Sequence, residues 1–171
     1  MKILRIDKMR LFRSSTYPFT CYFKGFDTVK AVRSLFGENT DEVLRNLKVE
    51  FTWIAGYMWI SSEGHLMISS RYLNNGSRVD IYLDVIHELV HVKQFMEGKE
   101  LFDGRYRYVE RPTEIEAYRH AVEEAKRIGM TEKEICEYLK TEWMSDDDLK
   151  RLAKTLNVNC SKKELHRSGD R

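Results

Sequence analysis

The order of apolar and polar positions predicts a small sheet with helices on either side of it in the chain. Apolar residues recur at helical spacing over 27–36 and again over 40–47. Over 48–71 the period becomes two, which predicts strands separated by a turn at 62–64. Residues 1–25 are mixed and rich in aromatic side chains, and we expect from them a short strand or a covering segment.

The predicted strands carry several large aromatic residues. Trp53, Tyr57 and Trp59 fall within the alternating pattern, and we expect them in the core of the sheet. The strand at 66–70 comes shortly before the longest apolar run. We interpret it as an edge strand that could hold an extended peptide by β-addition.

The longest apolar run predicts one helix from about Val79 to Glu97, which Gly98 ends. Three further helices follow a polar connection: one from Pro112 to about Ile128, one opened by a capping box at 131–134, and one near 146–156. The predicted fold is therefore α+β, with a small antiparallel sheet followed by the long helix and additional C-terminal helices.

Composition is that of a globular protein. The 171 residues are 42% hydrophobic and 33% charged, enough for one compact domain, which we assign to 1–156. The polar segment 157–171 is expected to be a flexible tail. A net charge of +2 gives no reason to expect nucleic acid or a membrane as a partner. No apolar stretch approaches the roughly 20 residues of a membrane span, and the N-terminus lacks the apolar core of a signal peptide.

The cysteines predict a cytoplasmic protein. Cys21, Cys136 and Cys160 are odd in number, far apart, and form no CxxC pair. We interpret all three as reduced thiols, which are typical of the cytosol.

The sequence His87-Glu88-Leu89-Val90-His91 lies inside the long predicted helix. Two histidines four positions apart project from one face of a helix, so both imidazoles can bind one zinc ion. Glu88, next to the first histidine, is placed to act as a general base on a water activated by the metal. This pattern predicts a metalloprotease, a hydrolase that cleaves peptide bonds.

A catalytic zinc site needs a third protein ligand. No histidine follows His91 at short spacing, so we expect the third ligand from the next helix, where Glu114 lies in the first turn and Ala117 one turn further on. The Glu-x-x-Ala spacing favours Glu114, because a small residue one turn away would let this helix approach the first. Glu116 is the competing ligand. It could instead lie behind the ligands or contact the substrate.

The sequence leaves several other roles open. Tyr106, Tyr108, Tyr118 and His120 are candidates for stabilising the oxyanion of the transition state, and nothing in the sequence chooses among them. Asp84, one turn before His87, could orient that imidazole or simply face solvent. His65 and His166 have no partners at metal-ligand spacing in the sequence, and we expect both at the surface.

At these residues the chain resembles the gluzincin class of zinc metallopeptidases, and within it the small single-domain minigluzincins. The matching stretches are 87–91 and 112–117. The resemblance implies a zincin-like fold in which a small sheet packs on an active-site helix and a glutamate helix. It implies zinc on His87, His91 and Glu114, with Glu88 as the base. It also implies that the protein could be latent, with a segment of its own chain covering the cleft.

The zincin domains of bacterial regulators that cleave repressors are a second similar group, but no helix-turn-helix is evident here.

The expected function is therefore a cytoplasmic zinc peptidase that acts on a peptide or protein substrate. The alternative is a non-catalytic zincin-like module that binds a partner protein and uses zinc for structure. The intact Glu88 favours the peptidase over the non-catalytic module.

Overall fold

The computed structural model describes residues 16–53 and 56–160. The chain divides into two compact units, Met1–Lys99 and Glu100–Arg171. The coarse prediction of an α+β protein is confirmed, because the first unit combines helices with a four-stranded sheet. The assignment of 1–156 to a single domain stays a prediction.

The sheet of the first unit is mixed rather than antiparallel. Its order is β1-β2-β4-β3, and its strands are β1 (Tyr17–Pro18), β2 (Lys48–Thr52), β3 (Met58–Ile60) and β4 (Leu66–Ser69). β2 and β4 run parallel, whereas β1 pairs with β2 and β3 with β4 in antiparallel fashion. The antiparallel prediction is thus wrong for the central pair. Alternation marks a strand but does not specify its neighbours, and here β3 lies on the far side of β4.

The described residues of the first unit form five α-helices: α1 (Phe19–Tyr22), α2 (Lys30–Phe36), α3 (Thr40–Asn46), α4 (Ser70–Asn75) and α5 (Arg78–Met96). Two 3₁₀ turns, Phe26–Thr28 and Gly37–Asn39, precede α2 and α3. The helices predicted at 27–36, at 40–47 and from about Val79 are confirmed. α4 was not predicted; it begins where the Ser69 hydroxyl accepts a hydrogen bond from the Tyr72 backbone N–H.

Aromatic rings form much of the core of this unit. Phe19, Phe23 and Phe26 are buried against one another, and Phe26 also contacts Tyr82 on α5. The expectation for Trp53 is wrong, because β2 ends at Thr52 and the Trp53 side chain is 76% exposed. The rings of Phe19, Phe23 and Phe26 therefore lie in the core, whereas the Trp53 ring, which was expected there, does not.

α5 is held at both ends. The Ser77 hydroxyl accepts the Asp80 backbone N–H at the start. At the other end Gly98 adopts φ +71°, and the Lys99 N–H donates to the Gln94 carbonyl at 2.9 Å. Together with the bond from the Gly98 N–H to Phe95, this is a Schellman motif. Most α5 side chains are buried, so the helix has apolar surroundings on nearly all sides.

The second unit is helical in its described part. A 3₁₀ turn at Tyr108–Glu110 leads into α6 (Pro112–Arg127), α7 (Glu132–Leu139) and α8 (Asp146–Thr155). All three predicted helices are confirmed. Pro112 occupies the first turn of α6, and Thr131 and Glu134 form the expected capping box of α7.

The described part of the predicted tail is not loose. Val158 is buried, and the Asn159 N–H donates to the Glu132 carboxylate at 2.7 Å. Cys160 forms a disulfide with Cys136, with Cα atoms 5.6 Å apart. The prediction of three reduced thiols is therefore wrong, and only Cys21 is free among the described residues. Sequence spacing gave no sign of this pair, because the turn after α8 brings the two cysteines together across 24 residues.

The disulfide removes the reduced-thiol argument for a cytoplasmic location. That location stays a prediction without support from cysteine chemistry. Within residues 16–53 and 56–160, none of the helices combines the length and apolar character that crossing a bilayer requires.

Candidate metal centre

His87 and His91 present their imidazoles to each other on one face of α5. Their Nε2 atoms lie 3.1 Å apart, and both side chains are only 6% exposed. Two Zn–N bonds of about 2.0–2.1 Å at a tetrahedral angle place their nitrogens roughly 3.3 Å apart. The separation of the two Nε2 atoms is therefore close to that of two ligands of one tetrahedral metal ion.

Gln94 lies behind His91 and was missed in the sequence. Its side-chain oxygen Oε1 lies 2.7 Å from His91 Nδ1, and Gln94 is fully buried. The signal was present: a polar residue three positions after the second histidine falls on the same helix face.

Glu88 is also buried, at 6% exposure, between the two histidines in sequence. A carboxylate in such a position is costly unless a cation or hydrogen-bond donors compensate its charge. A long apolar helix that retains a buried carboxylate and two buried imidazoles is therefore unusual for a purely structural core.

Asp84 has a partner from the preceding helix. The Tyr72 hydroxyl donates to Asp84 Oδ2 at 2.5 Å, and the Tyr72 ring contacts Tyr57 edge to face. Burial raises the pKa of Tyr72 strongly, and the Asp84 carboxylate raises it further. Tyr72 therefore stays protonated and links α4 to the turn of α5 that precedes His87.

The second unit places Glu114 in the first turn of α6. This side chain is buried at 6% exposure, whereas Glu116 is half-buried. Arg111 Nη1 lies 3.7 Å from Glu114 Oε1, so an arginine neighbours this carboxylate. Of the two candidate carboxylates, Glu114 has the more enclosed environment.

Two of the four oxyanion candidates contact each other. The hydroxyls of Tyr108 and Tyr118 lie 3.1 Å apart, and the Arg111 guanidinium lies over the Tyr108 ring at 5.9 Å from its centroid. His120 is half-buried and Tyr106 is exposed. Tyr108 and Tyr118 thus form a pair, and the geometry offers no such contact for Tyr106.

His65 is half-buried rather than exposed, and it has a partner that its spacing in the sequence did not indicate. Parallel pairing of β2 with β4 brings Glu50 beside it, and His65 Nδ1 lies 2.6 Å from Glu50 Oε1. Glu63 joins them at 3.9 Å but is 77% exposed. These three residues have the donor types of a metal site. We assign them to a surface ion pair, because the imidazole–carboxylate contact alone accounts for their arrangement. His166 lies outside the described residues.

The predicted edge strand is interior. β4 pairs on both sides, so the expectation that 66–70 receives a peptide is wrong. Among the described strands β3 is the outer one, and it packs against α5. Its pairing with β4 uses the backbone groups of Tyr57 and Ser61. Strand alternation then turns the N–H and C=O groups of Met58 and Ile60 away from the sheet.

Comparisons of the chain with protein-family models, with curated proteins and with solved structures gave no match. The resemblance to gluzincins therefore rests on the residues of 87–91 and 112–117 and stays a prediction.

Proposed function

We propose that the protein is a zinc-dependent peptidase in which His87, His91 and Glu114 hold the ion and Glu88 is the general base. The observation that carries the proposal is the 3.1 Å approach of the two Nε2 atoms within a buried stretch of α5. A zincin-like fold is part of this proposal.

The donor set favours zinc. Two imidazoles with one carboxylate are a known ligand combination of catalytic zinc, which keeps its fourth position for water. All three proposed ligands are buried. A bound cation would offset the cost of burying a carboxylate.

Glu114 is preferred to Glu116 for two reasons. It is the more buried of the two, and its place in the first turn of α6 leaves its carboxylate near the start of the helix. The guanidinium of Arg111 also places a positive charge beside this carboxylate, with Nη1 3.7 Å from Glu114 Oε1.

The chemistry assigned to the chain is proton transfer by Glu88. Bound zinc would supply Lewis acidity and lower the pKa of a water toward neutrality. Glu88 accepts a proton from the attacking water while the oxygen of that water bonds to the peptide carbon. Glu88 then gives the proton to the amide nitrogen, the C–N bond breaks, and an acid and an amine leave. The phenol groups of Tyr108 and Tyr118 are the candidate donors to the oxyanion.

The position of the outer strand β3 is consistent with a peptide as the substrate. The outward N–H and C=O groups of Met58 and Ile60 can pair with an extended chain, and β3 lies against the helix that carries Glu88. Backbone pairing of this kind would align a substrate along the sheet whatever its sequence.

The test is hydrolysis of labelled casein by the full chain loaded with zinc, with zinc content measured on the same samples. We expect cleavage by the wild type and none by Glu88→Gln, with one zinc per chain in both. Glu97→Gln, at the exposed end of α5, is the matched control and should remain active. If the wild type is inactive, it is treated by limited proteolysis and assayed again. Activity that appears only after this treatment identifies a latent form. Zinc binding without hydrolysis under either condition would overturn the peptidase proposal in favour of a non-catalytic module.

A further inference from the structure

We infer that Gln94 is a positioning residue that sets the tautomer of His91 and thereby the affinity of the centre for zinc. The inference rests on the proposed function insofar as it concerns the metal. Its first part, the tautomer, concerns the protein alone and is tested without any ion.

The contact defines which ring nitrogen carries hydrogen. Gln94 Oε1 lies 2.7 Å from His91 Nδ1, and a carboxamide oxygen can only accept. The hydrogen of the neutral ring is therefore on Nδ1. His91 Nε2 then presents a lone pair, and it is this atom that faces His87 Nε2 at 3.1 Å.

The same contact fixes the plane of the imidazole. A ring held only by its Cβ–Cγ bond can turn, and each turn moves Nε2 away from the shared point. A hydrogen bond at the opposite nitrogen stops this rotation, and a bound acceptor also raises the basicity of the ligating nitrogen.

Gln94 is itself well anchored. Its backbone carbonyl receives the Lys99 N–H in the Schellman motif that ends α5, and Gly98 has the positive φ that this motif requires. The side chain is fully buried, so its amide is held in a restricted space. The end of the helix thus fixes the residue that orients the second imidazole.

If Gln94 had only a structural role, its buried amide would need hydrogen-bond partners, but any neighbouring polar group could supply them. The two roles differ in what an acceptor-retaining variant does. Gln94→Glu keeps an oxygen opposite His91 Nδ1, whereas Gln94→Met keeps the length of the side chain and removes the acceptor.

The first experiment records the ¹⁵N shifts of the His91 ring in the metal-free full chain at a pH at which the ring is neutral. We expect the Nδ1–H tautomer in the wild type and its loss or mixing in Gln94→Met. An Nε2–H tautomer in the wild type would overturn the inference. This measurement on the wild type needs no variant to fold.

The second experiment measures zinc affinity by competition with a chromophoric chelator. We expect about a 10- to 100-fold loss in Gln94→Met, as is typical when a residue behind a ligand is removed. Gln94→Glu should bind zinc at least as well as the wild type, and Lys93→Met, the neighbouring position on α5, should leave affinity unchanged. Equal affinities of Gln94→Met and the wild type, or equal losses in both Gln94 variants, would contradict the inference. A wild type that binds no zinc would instead contradict the proposed function, and the tautomer result would still decide the role of Gln94.

Discussion

The ring of Phe95 lies 2.5 Å from the position that a Cβ would take on Gly64. The β3–β4 turn therefore packs on the last turn of α5, and a side chain at position 64 would displace the Phe95 ring, which is 39% exposed. Gly64 also has φ +78°, which disfavours any side chain.

Gly64→Ala should destabilise the protein by about 1 kcal/mol or more, since it combines a strained φ with displacement of the Phe95 ring. Gly98→Ala is the matched control: it has φ +71° but no atom within 4 Å of the added Cβ. Denaturant unfolding measures both changes. Phe95→Ala should recover the steric part of the cost in the Gly64→Ala background. Equal losses in the two glycine variants would show that the Phe95 contact is unimportant.

Acid should weaken the loop before α6 through Asp103. Hydrogen bonds from Arg105 lower the pKa of this carboxyl from its ordinary value of 3.8 to about 2. Because the folded-state pKa is depressed, the stabilisation is fully present above about pH 4 and is lost as pH falls through about 2. Asp103→Asn should flatten the dependence of unfolding free energy on pH within this window. In an Arg105→Ala background the same substitution should have a smaller pH-dependent effect, because only the backbone N–H of residue 105 still donates to the carboxylate. If Asp103→Asn leaves the slope of unfolding free energy against pH unchanged, the stabilising role assigned to the Asp103 carboxylate is contradicted.

The Cys136–Cys160 disulfide should stabilise the second unit. Closing a loop with a sequence separation of 24 restricts the unfolded chain by about 3 kcal/mol in the chain-entropy account. We expect Cys160→Ser to lower the denaturant midpoint, and reduction of the wild type to produce the same midpoint. Thiol titration of the unfolded, unreduced chain should find one thiol, that of Cys21. Three thiols would show that the bond is absent.

The identity of the carboxylate ligand can be decided by a pair of variants. Glu114→Gln should lose most of its zinc affinity, because a neutral amide is a poor zinc ligand and the third donor is lost. Glu116→Gln should retain one zinc per chain. Both are measured by equilibrium dialysis and metal analysis. The opposite pattern would transfer the ligand role to Glu116.

The helices were predicted well because their signals are local. α5, α6 and α7 combine apolar periodicity with caps such as Ser77, Gly98 and the Thr131–Glu134 box, all within a few residues of the helix ends. α4 was missed because Ser69 and Ser70 also fit the alternation of a strand.

The sheet order and the disulfide depend on contacts far apart in sequence. Nothing in the spacing of β2, β3 and β4 indicated that β4 would lie between the other two, so the free edge was assigned to the wrong strand. The ion pair of Glu50 with His65 follows from that same parallel pairing and was invisible for the same reason. Cys136 and Cys160 likewise meet only after α7 and α8 have formed.

The histidine pair is the part of the candidate site that sequence predicted most directly, because spacing of four on a helix fixes the relative direction of two side chains. Gln94 follows from the same rule and could have been found by asking what supports each imidazole. The choice between Glu114 and Glu116 rests on burial, which the pattern of the first turn does not reveal.

The most direct test of the zinc centre is metal analysis of the purified full chain together with X-ray absorption at the zinc edge. The account predicts one zinc per chain, with two imidazole nitrogens at about 2.0–2.1 Å and at least one light oxygen donor, and loss of the metal in His87→Ala. Absence of stoichiometric zinc after equilibration with the ion, or a coordination shell without histidine, would contradict it.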